Sequence, residues 1–284
     1  MAHIAFLGTG LLGSAFAEAA AGRGDAVTAW NRTADKATAL AQFGVKPAAT
    51  PDAAVRGASR VHLVLRDDAV VDEVIAAARP GLSADAILID HSTTLPRLTA
   101  ERSGRLQAQG IGYLHCPVFM GPPAARAAQG LMLATGPQAL FERAKDDLAR
   151  MTGRLQYMGE RPDLAAANKL LGNAMLIGVW AVMADVLTLA KACGVAAEDA
   201  IALLGNLDLN AAVSRRGGSM AKGDFTPTFE LAMARKDVRL MLEAAGGLPM
   251  AALPGVAARM DQLIAAGHGA EDGSVLAIDA VQRA

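Results

Sequence analysis

Short apolar runs alternate with amphipathic stretches through the first half of the chain, and the second half loses that beat. Ile4 to Leu7, Ala26 to Trp30, Val61 to Leu65 and Ala86 to Ile89 are uncharged runs of four or five residues. Such runs predict strands buried on both faces of a parallel sheet. A fifth strand is expected to end near His115 and Cys116, and a sixth covers Leu131 to Ala134. Arg154 to Met158 is expected to close the same sheet. Strands alternating with helical patterns predict a doubly wound α/β domain over residues 1–160. From Leu164 to about Cys193 there is no proline and much Ala, Leu and Met. Read as one helix, that stretch is about 45 Å long. Apolar over much of its circumference, it needs burial by the helices that follow or by a second subunit. Breaks at Gly217-Gly218, Pro227, Gly246-Gly247 and Gly267 to Gly269 divide the remainder into helices. Residues 161–284 therefore read as an all-helical domain, joined to the first by the long helix.

Composition narrows the class without changing the fold. A chain of 284 residues with 52% hydrophobic and 19% charged residues is globular and long enough for two cores. A net charge of -1 gives no general attraction to nucleic acid or to an anionic membrane. Cys116 and Cys193 stand far apart with no CxxC, and His91 and His115 are lone histidines, so no metal site is expected. The start has no basic segment followed by a long apolar core. The longest uncharged apolar stretch, Leu170 to Ala184, is 15 residues and short for a bilayer. A soluble, cytoplasmic protein is the expectation.

The chemistry begins directly after the first strand. Gly8, Gly10 and Gly13 follow it in GxGxxG spacing, with Thr9, Leu11 and Leu12 between them, and an Ala-rich helix opens there. The first glycine suits a tight turn, the second lets backbone approach a pyrophosphate, and the third lets helix and strand pack closely. The helix N-terminus then offers free N–H groups to phosphates. At the end of the second strand, an NAD-binding protein would place Asp or Glu against the ribose 2′-OH. Here stand Asn31, Arg32 and Thr33, with Lys36 a turn into the next helix and Asp35 placed as a dipole partner in its first turn. Arginine and lysine suit a 2′-phosphate, so NADP is the expected cofactor; plain surface charge is the other reading.

Loops after later strands, Leu65-Arg66 and Ser92-Thr93, are expected to face the nicotinamide end, because ligands lie beyond the carboxyl ends of parallel strands. Lys169 and Asn173 are four apart and share a helix face. By spacing alone they read first as a charged residue at a helix margin beside a packed asparagine.

Several motifs together alter that reading. The GxGxxG of Gly8–Gly13, the NRTxxK of Asn31–Lys36, the STxxP of Ser92–Pro96 and the Pro117-Val118 start of a loop are among them. The KxxxN of Lys169–Asn173, the Lys236-Asp237 pair and the tail from Gly267 to Asp272 complete the set. The chain resembles the β-hydroxyacid dehydrogenase family, the 3-hydroxyisobutyrate and 6-phosphogluconate dehydrogenase-like group, over nearly its whole length. The resemblance implies an N-terminal Rossmann domain and an NADP-dependent oxidoreductase moving hydride between nicotinamide and a carbonyl or hydroxy compound. It implies that Lys169 is proton donor and acceptor with Asn173 hydrogen-bonding nearby, and that Leu65, Thr93 and Lys236 lie beside the cofactor. It also implies a homodimer or higher homo-oligomer.

One loop departs from the family pattern. Where relatives read roughly Asp-Ala-Pro-Val-Ser-Gly-Gly, this chain reads His115-Cys116-Pro117-Val118-Phe119-Met120-Gly121 and then Pro122-Pro123. Phe119 stands where relatives have the serine and Met120 where they have a glycine, whose hydroxyl and amides grip a substrate carboxylate in the family, and the two prolines remove N–H donors just afterwards. The substrate side, taken as Ser92, Phe119, Met120, Gly121, Lys169 and Asn173, therefore points to a less acidic or more apolar small molecule, with Arg126 a possible compensating charge. An imine reductase on the same scaffold is an alternative, against which Lys169 speaks; a non-catalytic NADP-binding protein is another.

Overall fold

A computed structural model describes residues 3–281. The chain divides into two compact units, one ending at Asn173 and the next starting at Ala174. The first unit runs β1 (His3–Leu7), α1 (Leu11–Gly22), β2 (Ala26–Trp30), α2 (Ala34–Thr38), β3 (Lys46–Pro47) and α3 (Pro51–Val55). It continues with β4 (Arg60–Leu63), α4 (Asp68–Ala78), β5 (Ile87–Asp90), α5 (Pro96–Ala108) and β6 (Gly112–His115). Then come β7 (Val118–Phe119), α6 (Pro122–Arg126), β8 (Leu131–Ala134), α7 (Gln138–Ala149) and β9 (Arg154–Tyr157).

Six strands form one parallel sheet in the order β3-β2-β1-β4-β5-β6. That is the doubly wound order in which the chain reverses direction at β1, leaving a crevice between the carboxyl ends of β1 and β4. Side-chain alternation divides the core into two layers. Ile4 and Phe6 of β1 join one apolar cluster, while Ala5 and Leu7 join the other. Ile87 and Ile89 of β5 and Leu88 between them divide in the same way. Hence the strands read as continuous apolar runs.

The sheet differs from expectation at both edges. β3 was not foreseen, because a charged residue and a proline carry no apolar signal; both suit an exposed edge strand. The strands over Leu131–Ala134 and Arg154–Tyr157 do not close the main sheet. They form a second, three-stranded sheet with β7, antiparallel between β7 and β8 and parallel between β8 and β9. His115 and Thr135 exchange backbone hydrogen bonds at 3.0 Å and link the two sheets. An apolar run announces a strand but not its partner, and Pro117 hides the short β7.

From the first unit the chain enters the second through one continuous helix, α8 (Leu164–Ala192). Then follow α9 (Ala197–Leu204), α10 (Leu209–Lys222), α11 (Leu231–Ala244) and α12 (Leu253–Leu263). Leu231, Val238, Ala257, Met260, Leu263, Val275 and Ile278 make this unit's core. Two buried carboxylates tie its loops. Asp185 of α8 accepts the amides of Ala251, Ala252 and Leu253 at the start of α12. Asp272 accepts from Arg216, Thr228, Phe229 and Ser274.

Candidate active site

A cleft of about 470 Å³ opens where β1 and β4 end. Gly8 has φ +100°, and a Cβ there would lie 2.3 Å from the Val64 carbonyl oxygen, so only glycine makes the turn. A Cβ on Gly13 would meet the Gly8 oxygen at 2.0 Å, which keeps α1 tight against β1. A Cβ on Gly10 would project into open space. Its absence leaves backbone bare at the mouth of the cleft. Gly10 caps α1 without a side-chain bond, and the first helical bond runs from the Ser14 amide to the Gly10 carbonyl at 2.9 Å. The amides of Leu11, Leu12 and Gly13 precede it and are left to an anion or water. This cradle fits a dinucleotide pyrophosphate.

Of the residues expected at the cofactor, Gly8, Gly10, Leu11, Leu12, Gly13, Asn31, Arg32, Thr33, Lys36, Leu65, Arg66 and Thr93 all line this cleft, with Ser92. Thr9 is turned inward, 2% exposed, and its amide donates to the Asn31 side-chain oxygen at 3.0 Å. Asn31 also donates to the Thr33 carbonyl at 3.0 Å, so its side chain shapes the turn that presents Arg32. Lys236 lies in the second unit on α11, beside Asp237 at 3.0 Å. Trp30, Val64, Val70, Glu73, Val74 and His91 also line the cleft. No motif in the sequence points to these. Most stand just past strand ends or on the first turns of α4, where the topology alone directs them inward. Glu73 supplies the carboxylate of the described lining; none comes from the end of β2.

Hydrogen bonds behind the cleft hold its floor. The Ser92 hydroxyl accepts the Leu65 amide at 3.0 Å, and Asp90 accepts the Ser92 amide at 2.9 Å and the Tyr113 hydroxyl at 2.8 Å. His91 Nδ1 lies 2.7 Å from the Cys116 carbonyl, which only accepts, so Nδ1 carries the proton. His91 Nε2 is then an acceptor, and His62 Nδ1 donates to it at 2.9 Å. Burial holds both imidazoles below their ordinary value, His91 at about 4. This pair ties β4 and β5 to Cys116, at the start of the loop that follows β6.

In that loop, Phe119 and Met120 are partly buried and Gly121 is exposed, at the mouth of α6. Met120 packs against the core cluster beside Gly130. Arg126 is committed to Glu18 of α1 at 2.7 Å, which answers its suggested role as a free compensating charge. Lys169, on the first turns of α8, reaches back to this loop. Its Nζ donates to the Val118 carbonyl at 2.6 Å and lies 4.1 Å from the centre of the Phe119 ring. Desolvation by burial lowers its pKa below the ordinary 10.5, and no charged neighbour contributes. Asn173, one turn further along, is also partly buried.

A glycine cradle at the switch point of a doubly wound sheet, in a unit that also carries the half-buried ammonium of Lys169, defines a dinucleotide-binding protein. The chain belongs to the β-hydroxyacid dehydrogenase family. Residues 3–159 match the family model for the NAD-binding domain of 6-phosphogluconate dehydrogenase. Residues 164–278 match that described as NAD-binding of NADP-dependent 3-hydroxyisobutyrate dehydrogenase. The chain is 30% identical to 3-sulfolactaldehyde reductase of Escherichia coli (strain K12), covering 97% of this chain and 95% of that one. It is 27% identical to glyoxylate/succinic semialdehyde reductase 2, chloroplastic, of Arabidopsis thaliana, over 95% of this chain and 76% of that one. A reductive aminase from Aspergillus terreus, solved with NADPH and ethyl levulinate, shares the fold at a TM-score of 0.90 and 22% identity, covering 99% of this chain and 100% of that one. The protein is an NAD(P)-dependent oxidoreductase of the dehydrogenase and reductase class.

Proposed function

We propose that the protein is an NADPH-linked reductase of an aldehyde or ketone bearing apolar groups, with Lys169 as the proton donor. The ammonium of Lys169, half-buried and, among the described residues, without a carboxylate to neutralise it, carries this reading. When bound, the nicotinamide supplies a hydride to the carbonyl carbon. Negative charge then builds on the carbonyl oxygen, where a positioned ammonium is worth most. Lys169 Nζ gives that oxygen its proton, and the neutral amine takes another from solvent. Asn173, on the same face of α8, is assigned to orient the substrate oxygen. Arg32 and Lys36 at the rim, with Thr33, support NADPH over NADH. The proposed binding set otherwise follows the cleft: the glycine turn for the pyrophosphate, and Leu65, Arg66, Ser92 and Thr93 towards the nicotinamide. Lys236 rests on family resemblance alone.

The loop supports an apolar substrate. A small carboxylate needs donors to offset its desolvation. Phe119 and Met120 offer none from their side chains, Pro122 and Pro123 have no N–H, and Arg126 is held by Glu18. Steady-state kinetics on a panel of aldehydes, keto acids and cyclic imines with NADPH tests this. The expected ranking places larger apolar aldehydes or ketones above tartronate semialdehyde and other small acids in kcat/KM. A small acid at the head of the list, or an imine, would overturn the assignment.

A homodimer or larger homo-oligomer is part of the same proposal. α8 carries Leu171, Met175, Ile177 and Trp180 at 50–69% exposure, an apolar surface that a single chain leaves bare. By length and hydropathy α8 alone would also pass for a membrane span. The buried Asp185 carboxylate, fixed by three amides of its own unit, favours cover by a second copy in aqueous solution, as in the cytoplasm.

A further inference from the structure

We propose that Phe119 and Gly172 work as a pair that positions Lys169, the ring of Phe119 occupying the space that Gly172 leaves on α8. The inference rests on the proton-donor reading of Lys169 given above. Gly172 stands three residues after Lys169, on the same side of the helix. A Cβ at 172 would fall 2.4 Å from Cζ and 2.5 Å from Cε1 of Phe119. No side chain fits there while the ring keeps its place, so the ring lies against bare helix backbone. The backbone that carries the ring is fixed in β7, where Phe119 pairs with Leu131 of β8.

Seated this way, two consecutive residues of β7 grip one ammonium. The Val118 carbonyl accepts a proton of Nζ at 2.6 Å, and the face of the Phe119 ring lies 4.1 Å away. Lysine has three N–H donors. One goes to the carbonyl and the ring face shields a second direction, which leaves a donor for the substrate oxygen. The ring also opposes the effect of burial: desolvation favours the neutral amine, whereas a π face favours the cation. Phe119 is thus a positioning residue as well as an apolar wall, and the glycine is what admits it.

The test uses the full-length enzyme with NADPH bound. Phe119→Leu keeps apolar bulk without the π face, and Gly172→Ala keeps the ring but pushes it from its seat. Each is expected to lower kcat roughly 10- to 100-fold, the cost of a displaced catalytic group, with KM for NADPH nearly unchanged. The double variant should lose less than the product of the two, because leucine no longer meets the added methyl. NMR of lysine labelled at Cε, with Lys169 assigned by its loss in Lys169→Ala, reads the contact directly. Its ring-current shift should vanish in Phe119→Leu, and its titration should move about half a pH unit lower. If Gly172→Ala fails to fold, Phe119→Leu decides alone. Wild-type turnover in the folded variants while Lys169→Ala is inactive, or an unmoved Lys169 signal in Phe119→Leu, would overturn the pair. Full turnover in Lys169→Ala would instead overturn the proton-donor reading, and the NMR shift would still decide the contact.

Discussion

At Lys169 the same burial that makes the ammonium costly makes it useful. A solvated lysine near 10.4 gives up its proton slowly at neutral pH, and desolvation brings that value down. Lys169→Ala should lower kcat by roughly 10²–10⁴, the usual contribution of a positioned acid, while NADPH affinity stays nearly intact. Turnover close to wild type would pass the role to another group. Reduction uses the protonated form, so kcat for reduction should fall on the alkaline side, through a limb below 10.5 that Lys169→Ala abolishes. Arg32 poses a separate question of charge. It is exposed at the cleft rim, presented by a turn that Asn31 braces from within. Charge-assisted bonds to a 2′-phosphate should favour NADPH over NADH by about 1–3 kcal/mol, and Arg32→Ala should narrow that gap. Equal dissociation constants in the wild type, measured by fluorescence titration, would contradict the NADPH preference.

Where β4 and β5 end, the nearly coplanar, hydrogen-bonded imidazoles of His62 and His91 link two strands to Cys116 at the start of the loop after β6, and their protonation opposes that structure. Both are held below their ordinary value, first by burial, and His91 lies at about 4 against roughly 6.5 in an unfolded chain. The unfolded state therefore binds more protons between those values, so the stability is complete above about 6.5 and is lost as pH falls towards 4. For His91 alone the full loss is about 3 kcal/mol. The carboxylates held low, such as Asp67 and Asp272, act below about 4 and leave this window to the histidines. The urea midpoint should fall between pH 7 and 4.5, and His62→Phe should flatten the fall; a midpoint constant over that range would contradict the account. Neither histidine announces this in the sequence, where His91 reads as a lone residue at a strand end and His62 as one position inside the third apolar run. What was legible was what local chemistry encodes: the β1 run, the GxGxxG turn with its forced Gly8 and Gly13, and the helix after it. What was not legible depends on who lies across the sheet. The pairing of β8 with β7, the walls given by Trp30 and Glu73, and the capture of Arg126 by Glu18 all arise from tertiary neighbours. Gly172 is the sharpest case, because its meaning appears only once Phe119 is seen against it.

At the scale of the molecule the unresolved demand is the surface of α8. Monomeric soluble proteins rarely expose apolar patches beyond a few hundred Å², and larger ones mark association sites. Along this one helix Leu170, Leu171, Met175, Leu176, Ile177, Val179, Trp180, Val182, Met183 and Leu187 are all at least 36% exposed. They fall around much of the helix rather than on a single stripe, so the proposed oligomer requires a partner that wraps the helix rather than touches one face. A second copy of the chain meets that need, since it brings the same apolar helix and a two-fold interface is self-complementary. Lipid is the competing cover, and Asp185 argues against it: a carboxylate 1% exposed within the helix accepts the amides at the start of α12, which fixes this end of α8 inside protein. Sedimentation equilibrium should give a mass at least twice the 29.1 kDa of the chain, in buffer without detergent. Trp180→Glu, which sets a charge in the middle of the covered surface, should shift the population to monomer and lower the unfolding temperature, because a buried unpaired carboxylate costs several kcal/mol. A wild-type chain that sediments as a monomer, or requires detergent to stay in solution, would show that something other than its own copy covers the helix.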